Sequence, residues 1–558
     1  MKNREYERWL ENADDEEIKS ELLAISDKPD RIKDAFFQSL EFGTGGLRGV
    51  IGAGCNRMNV YTVTRATLGL AKYLIKKGDA QTVAIGYDTR IKSRLFAETA
   101  AACFASFGIK AYVYQAPYPT PMLSYAVREL SCGAGVMITA SHNPKEYNGY
   151  KVYGSDGSQI TDIAAKEIFE KIESSDYFEK PGAKSFDKYL SSGSVEYING
   201  DLISEYLDTV SAASHAFGDS LDKSVRIIYT PLNGTGYVPV LNILENNGYK
   251  NLHVVSEQAA PDGTFPTCPY PNPEIPEALS LALEYARRTD GELILATDPD
   301  CDRVGVAVKD GDGFKILTGN EVGLILLEYI ASQRSAHGNM PKSPTAVKTV
   351  VTTDLAVCVA EKYGIRVKDV LTGFKYIGET LGKMEMEGCA KDFVFGFEES
   401  CGYLGAPYVR DKDGVYAAYL VSEAAAFYKA HGKTFLDVLD SIYREYGYER
   451  TALYSYTFPG ADGIAKMKRI MSHFRDTGAD FSGIPILLSK DYSLGIEDLP
   501  KSNVIKFYLD GESTVTLRPS GTEPKLKVYI SVRAADRESA ERKTEKIKSA
   551  AERIIKQV

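Results

Sequence analysis

The sequence contains no apolar run long enough to cross a membrane. Its longest apolar stretches, such as Val322 to Ile330, are broken by Glu328 and fall far short of the roughly 20 residues a spanning helix needs. An apolar signal core is missing too, since the opening MKNREYERWLENADDEE is charged from its second residue. No C-x-x-C occurs: the eight cysteines are dispersed, and the closest pair, Cys389 and Cys401, lies 12 apart. Such spacing argues against a disulfide framework or a structural zinc and reads as reduced thiols in a cytoplasm. Positive charge is in deficit, with 66 Lys and Arg against 76 Asp and Glu, a net charge of −10. The global basic field that nucleic-acid binding needs is therefore absent. Nothing in the chain specifies an oligomeric state.

What is present is an ordinary globular composition, 44% hydrophobic and 25% charged. At roughly 150 residues per domain, the length corresponds to about 3.7 domains. Residues 1–40 carry Tyr6, Trp9, Leu10, Ile18, Leu22 and Leu23 at near-helical spacing amid charges. A Gly-rich loop, Phe42 to Gly49, follows. From there one pattern recurs three times: apolar strand, helix, then an apolar strand running into a polar loop. The first copy has Val83 to Asp88, a helix from about Ser93 to Phe107, and Gly135 to Ile138 leading into Thr139-Ala140-Ser141-His142-Asn143-Pro144. The second has Val225 to Tyr229, a helix near 237–247, and Leu293 to Ala296 leading into Thr297-Asp298-Pro299-Asp300-Cys301-Asp302. The third has Val347 to Thr352, a helix near 355–363, and Asp392 to Phe395 leading into Gly396-Phe397-Glu398-Glu399-Ser400.

Alternating strands and helices predict α/β domains, and continuous apolar strands predict sheets buried on both faces. The last stretch differs. Strands at Val504 to Leu509, Thr514 to Leu517 and Leu526 to Val532 precede a helix from about Ala535, with Ala540, Ile547, Ala551, Ile554 and Val558 as its apolar stripe. This predicts three similar α/β domains with mixed sheets plus a smaller C-terminal α+β domain. The boundaries fall at 1–205, 206–320, 321–445 and 446–558.

The polar loops sit at strand ends, where open α/β sheets bind ligands. Ser141 has its hydroxyl just past a buried strand, placed to be a nucleophile or phosphoryl carrier, although an N-capped turn looks the same. The adjacent His142 does not make a serine-hydrolase pair, and no Gly-x-Ser-x-Gly elbow is present. Asp298, Asp300 and Asp302 alternate on one anchored loop, and hard oxygen ligands select Mg²⁺ or Ca²⁺. An EF-hand fails, because its sixth position is Arg303 and its twelfth Lys309. Glu398, Glu399 and Ser400 offer acceptors suited to polyol hydroxyls. Thr372 to Lys375 adds a cation nearby. Arg518-Pro519-Ser520-Gly521-Thr522-Glu523-Pro524-Lys525 combines a guanidinium fork, hydroxyls and glycine, the ingredients of a phosphate cradle. Gly432-Lys433-Thr434 is no Walker A motif, since its first glycine would fall at Phe427, and Arg48 breaks any G-x-G-x-x-G.

These four loops, in this order and from about Phe42 to the C-terminus, resemble the α-D-phosphohexomutase superfamily, whose members include phosphoglucomutases and phosphomannomutases. Phe-Gly-Thr-Gly-Gly-Leu-Arg-Gly and Phe-Glu-Glu-Ser-x-Gly-Tyr are similar to the subgroup of bacterial α-phosphoglucomutases. The resemblance implies four domains around one central cleft. It also implies an intramolecular phosphotransferase that interconverts glucose 1-phosphate and glucose 6-phosphate through a phosphoserine and glucose 1,6-bisphosphate, the latter also its activator. By the same resemblance Ser141 carries the phosphoryl group, and Asp298, Asp300 and Asp302 bind Mg²⁺ together with it. Glu398 and Ser400 hold sugar hydroxyls. Arg518, Ser520, Gly521, Thr522 and Lys525 bind the non-transferring phosphate. Arg48, His142, Lys151, Arg303 and Lys375 line the reacting phosphate. Tyr403 stands where some dual-specificity relatives carry His, which leaves phosphomannomutase and phosphopentomutase activities open. A Mg²⁺-dependent sugar phosphatase and a non-catalytic sugar-phosphate sensor are the readings from other classes.

Overall fold

The computed structural model describes residues 4–43, 46–78, 81–180, 185–458, 462–476, 478–520 and 525–558. Within them, twenty strands form four sheets. The first sheet holds β1 (Leu47–Val50), β2 (Thr82–Tyr87), β3 (Lys110–Val113), β4 (Ala134–Ile138), β5 (Tyr147–Gly154) and β6 (Val195–Tyr197), in the order β1-β5-β4-β2-β3-β6. The second holds β7 (Ile227–Thr230), β8 (Leu252–Val254), β9 (Leu293–Thr297), β10 (Val304–Asp310) and β11 (Gly313–Leu317), in the order β11-β10-β9-β7-β8. The third holds β12 (Thr345–Thr349), β13 (Arg366–Val370), β14 (Phe393–Glu398) and β15 (Gly402–Leu404), in the order β13-β12-β14-β15.

One four-stranded core recurs in all three: β3-β2-β4-β5, β8-β7-β9-β10 and β13-β12-β14-β15. In each, the first two pairings are parallel and the last is antiparallel. The threefold repeat read from the sequence is this mixed sheet. Strands β4, β9 and β12 are buried at every position, as strands covered by helices on both faces must be. Antiparallel return also explains a shift in the third loop. Glu398 pairs with Gly402, so it ends the strand β14 rather than lying in the loop beyond. Likewise β12 stops at Thr349, because Thr352 N–H turns back to the Thr349 carbonyl at 3.0 Å.

The fourth sheet is antiparallel throughout, with β16 (Tyr448–Thr457), β17 (Ile486–Asp491), β18 (Ile505–Leu509), β19 (Ser513–Pro519) and β20 (Lys525–Ala534) ordered β16-β20-β19-β18-β17. Alternation along the strands sends Phe507, Val515, Leu517, Val528 and Ile530 into a core with the helices Gly463–Asp476 and Arg537–Gln557. The opposite face carries Lys506, Thr516, Arg518, Lys527 and Tyr529. The last helix buries Ala540, Ile547 and Ala551 as expected, but Ile555 rather than Ile554. Its seven-residue spacing drifts by about 20° per repeat on a 3.6-residue helix.

The leader helices Arg4–Asn12, Glu16–Ala24 and Pro29–Phe36 dock on the first unit through Trp9, which is fully buried among Phe36, Tyr61, Tyr177 and Phe178. Tyr6, Ile18 and Leu22 join that core, whereas Leu23 points to solvent. No helix of the described residues is long and apolar enough to cross a membrane.

Candidate active site

The site begins with a repeated backbone device. Ser141, Cys301 and Cys401 each occupy the left-handed region, at φ of +52°, +49° and +63°. Each sits in the loop between the third and fourth strands of its unit's common core. A non-glycine residue there costs about 1–3 kcal/mol, so the three loops are held against strain by their surroundings. Around Cys301 the hold is close packing: a Cβ on Gly234 would lie 2.5 Å from Pro299 Cα, and one on Gly414 2.5 Å from the Cys301 carbonyl oxygen.

Ser141 is held by residues that the sequence reading missed. Its backbone N–H donates to Thr139 Oγ1 at 2.8 Å, and Thr139 donates to Asp88 Oδ2 at 2.6 Å. Arg90, 3% exposed, pairs with Asp88 and donates to the carbonyls of Ser141, Asn143, Pro144 and Tyr147. One buried guanidinium thus clamps the whole serine loop. Its signal was the Asp-Thr-Arg run at the end of β2, another strand end of the kind that binds ligands. The Ser141 hydroxyl donates to Asp298 Oδ2 at 2.8 Å, across two units, and lies 3.1 Å from His142 Nδ1. Burial, then the Arg303 and Arg48 charges, push the His142 pKa well below its usual value, so the imidazole is neutral at neutral pH.

Asp298, Asp300 and Asp302 are all fully buried, with one oxygen from each within 4.8 Å of the others. Burial and the neighbouring carboxylates Asp302 and Asp300 push the Asp298 pKa well up. Asp300 goes the opposite way, because Lys151 and Lys412 overcome the effect of its burial. Thr120 and Lys151 donate to Asp300 Oδ2 at 2.9 and 2.8 Å, and Lys412 lies 2.9 Å from Asp302 Oδ2. Asp300 Oδ1 and Asp302 Oδ1 have no hydrogen-bond partner among the described residues. Unpaired buried carboxylate oxygens, aimed into one small volume, fit a hard divalent cation.

Lys412 is a further residue the sequence reading missed. It belongs to Arg410-Asp411-Lys412-Asp413, a charge-dense run directly before the apolar helix Gly414–Ala430. The run is wedged between units. Arg410 is fully buried and pairs with Glu385 at 2.6 Å, Asp411 accepts from Tyr153 at 2.8 Å, and Asp413 accepts from Tyr206 and Tyr408 while capping the helix. Asp411 and Asp413, both buried and hydrogen-bonded on either side, fix Lys412 over the acidic loop.

Of the other expected residues, Arg48 donates to Asn143 Oδ1 at 3.3 Å, inside the serine loop. Arg303 pairs with Glu274 and approaches Asp302 Oδ1 at 3.8 Å. Lys375 lies 3.4 Å from Asp162. Burial lowers its pKa, and the Arg518 charge lowers it further. Glu398 is 5% exposed, and Ser400 is half-buried beside it. In the fourth unit, Arg518 stands in register with Lys527, which puts a second cation beside the guanidinium. Ser520 N–H donates to the Lys525 carbonyl at 2.7 Å. Gly521 and Thr522 lie outside the described residues. Tyr403 packs inward: its ring is fully buried and stacks on Phe395, and its hydroxyl donates to the Gly319 carbonyl at 3.2 Å. Antiparallel pairing of β15 with β14 turns it into the core.

Glu399 has an unusual environment. Its Oε2 accepts from Thr349 and Thr352 at 3.3 and 3.2 Å. Burial, then Glu398, push its pKa up to about 7; Glu274 adds to this, and Lys527 faces it from the fourth unit. The folded protein therefore keeps a proton that the unfolded chain releases near pH 4.3. Stability falls as pH rises from there through about 7. Glu399→Gln should show a melting-temperature advantage that grows between about pH 5 and about pH 7.5. A pH-independent offset in thermal unfolding would contradict this.

Comparison with known proteins agrees with this fold. Three models of the phosphoglucomutase/phosphomannomutase alpha/beta/alpha domains match in succession: domain I over residues 39–179, domain II over 204–311 and domain III over 318–446. A phosphoglucomutase of Staphylococcus saprophyticus is 36% identical over 538 residues, covering 94% of this chain and 96% of its own. That of Staphylococcus aureus strain MSSA476 is 35% identical over 540 residues, covering 94% and 95%. A solved phosphoglucomutase/phosphomannomutase family protein from Burkholderia thailandensis superposes with a TM-score of 0.65 at 18% identity, covering 91% of this chain and 96% of that one. Fold and relatives define an α/β sugar-phosphate isomerase of carbohydrate metabolism. The chain belongs to the phosphoglucomutase/phosphomannomutase family, on its bacterial phosphoglucomutase-like branch.

Proposed function

We propose that the enzyme interconverts glucose 1-phosphate and glucose 6-phosphate, with Ser141 as the phosphoryl carrier. The observation that carries this is the 2.8 Å contact between Ser141 Oγ and Asp298 of the buried acidic triad. A phosphoryl group on that oxygen stands beside carboxylates whose repulsion Lys151 and Lys412 offset in part and a divalent cation would relieve further. Asp298, Asp300 and Asp302 would hold Mg²⁺ there, with one phosphoryl oxygen as a further ligand. When bound, the ion supplies Lewis-acid stabilisation of the charge on the transferring group.

The residues do the rest. A sugar hydroxyl attacks phosphorus as the P–Oγ bond to Ser141 breaks, and the hydroxyl proton passes to a neighbouring base. His142, neutral and beside Oγ, suits that role; a phosphate dianion next to it raises its proton affinity. Lys151, Lys412, Arg303 and Arg48 stay cationic and neutralise oxygens of the transferring group. Glu398 and Ser400 orient the sugar. Arg518, Ser520, Gly521, Thr522, Lys525 and Lys527 grip the far phosphate, with Lys375 nearby. The bisphosphate formed turns over within the cleft and returns its other phosphate to Ser141, and free glucose 1,6-bisphosphate primes the serine. The four units extend over 1–205, 206–320, 321–445 and 446–558, and the enzyme works in the cytoplasm on a small sugar phosphate.

A coupled assay on glucose, mannose and ribose 1-phosphates, with catalytic bisphosphate and Mg²⁺, tests this. Glucose 1-phosphate should give the highest kcat/KM. Release of inorganic phosphate without isomerisation would replace the mutase with a phosphatase.

A further inference from the structure

Strand β5 meets the acidic loop twice. Lys151 and Tyr153 alternate with Val152 along it and so project from one face. Lys151 reaches Asp300 directly, at 2.8 Å. Tyr153 acts through an intermediary. Its ring is fully buried, and its hydroxyl donates to Asp411 Oδ2 at 2.8 Å. Burial and the Asp411 charge push the Tyr153 pKa well above its usual value, so the phenol keeps its proton and stays a donor. Asp411 is itself buried and directly precedes Lys412.

The consequence falls on Lys412, whose ammonium has two carboxylates in reach: Asp302 Oδ2 at 2.9 Å and Asp411 Oδ1 at 3.5 Å. Both oxygens of Asp411 already accept hydrogen bonds, Oδ1 from the Lys412 backbone N–H at 2.8 Å and Oδ2 from Tyr153. The oxygens of Asp302 make no hydrogen bond among the described residues. The ammonium therefore sits on Asp302, the carboxylate with more charge left to meet. The lysine stem is confined, since a Cβ on Gly402 would lie 2.5 Å from Lys412 Cδ. A turn of the head alone exchanges the two carboxylates. Without the phenol, Asp411 Oδ2 loses its donor in a buried site and draws the nearest ammonium. Asp302 then loses its partner, and the triad becomes more negative. A cation close to the triad opposes a second one there, so the triad should then hold a divalent ion more tightly.

We propose that Tyr153 is a positioning residue: by occupying Asp411 Oδ2 it keeps Lys412 on Asp302, where the ammonium neutralises the transferring group and moderates the triad's hold on its cation. This rests on the proposed function, in which the triad binds Mg²⁺. The test uses Tyr153→Phe, which removes the hydroxyl and keeps the ring in its core. Calorimetric titration of Mg²⁺ into the unphosphorylated protein should give a Kd about fivefold lower than in wild type. On glucose 1-phosphate, kcat should fall about tenfold while KM stays within about threefold. Tighter metal and slower turnover together separate positioning from a loosened fold, which weakens both. Asp411→Asn should move the other way, leaving Lys412 to Asp302 alone and raising the Mg²⁺ Kd about threefold or more. In that background Tyr153→Phe should change Kd less than about twofold. An unchanged or weaker Mg²⁺ affinity in Tyr153→Phe overturns the proposal, as does an equal effect in both backgrounds. Crystal structures of wild type and Tyr153→Phe decide the geometry without the reaction: Lys412 Nζ should lie nearer Asp411 than Asp302 in the variant, and an unmoved Lys412 overturns the proposal. If wild type binds no Mg²⁺ or lacks mutase activity, the proposed function fails, and that structural comparison still decides the role of Tyr153. Should Tyr153→Phe not fold, Asp411→Asn decides, and unchanged or tighter Mg²⁺ binding there overturns the proposal.

Discussion

Ser141→Ala should abolish isomerisation of every sugar phosphate, by on the order of 10⁴-fold or more, the scale on which loss of a nucleophile acts. The reason is geometric. Ser141 Oγ is the hydroxyl that meets Asp298 across the junction of the first two units, and no neighbouring hydroxyl replaces it: Thr139 is committed to Asp88 at 2.6 Å and Thr120 to Asp300 at 2.9 Å. The fold should survive, because the loop is held through its backbone by Arg90 and Thr139 rather than through the serine side chain. Phosphate labelling separates loss of chemistry from loss of structure. Wild type incubated with labelled glucose 1,6-bisphosphate should retain label on Ser141, and the alanine variant none, at equal melting temperature. An alanine variant that still isomerises would remove the phosphoserine from the mechanism.

The second large effect concerns the acidic loop. Asp302→Asn should lower kcat/KM by roughly 10²–10³-fold, the usual loss when one electrostatic stabiliser of a transition state is removed. It should also raise the Mg²⁺ concentration needed for half-maximal rate. Asp302 suits the test because its Oδ1 makes no hydrogen bond among the described residues, so that oxygen supports a ligand more than it supports the fold. Lys412, which pairs with Asp302 Oδ2, keeps Asp411 at 3.5 Å. Chelation of wild type should silence the reaction, and Mg²⁺ should restore it. A variant within twofold of wild type, with the same metal dependence, would detach the triad from catalysis.

Much of the fold was legible because burial on both faces writes itself as continuous apolar strands, and three such strand–helix–strand patterns recur in the sequence. The elements misplaced were those ended by long-range pairing. Glu398 belongs to β14 only because Gly402 returns beside it, and Tyr403 turns inward for the same reason. The site was legible where one loop carries its own chemistry, as at Ser141 or at Asp298, Asp300 and Asp302. It was illegible where a side chain acts from a distance. Arg90 reaches the serine loop from the end of another strand, Lys412 reaches the acidic loop from another unit, and Lys527 becomes Arg518's neighbour only through the β19–β20 register.

The sequence alone thus determined the repeated α/β units, the distinct C-terminal unit, and the residue types of the serine loop, the acidic triad and the Arg518 loop. Each of these depends on local pattern: periodicity, strand-end loops and short motifs. The tertiary structure alone decided which oxygen of which aspartate meets Ser141, which lysines neutralise the triad, and where the fourth unit is pinned. Those depend on contacts between residues 110 to 157 positions apart, such as Lys412 with Asp302, Lys151 with Asp300, Lys506 with Asp354 and Ser141 with Asp298. Electrostatic attraction over a few ångströms in a buried site has no counterpart in sequence spacing.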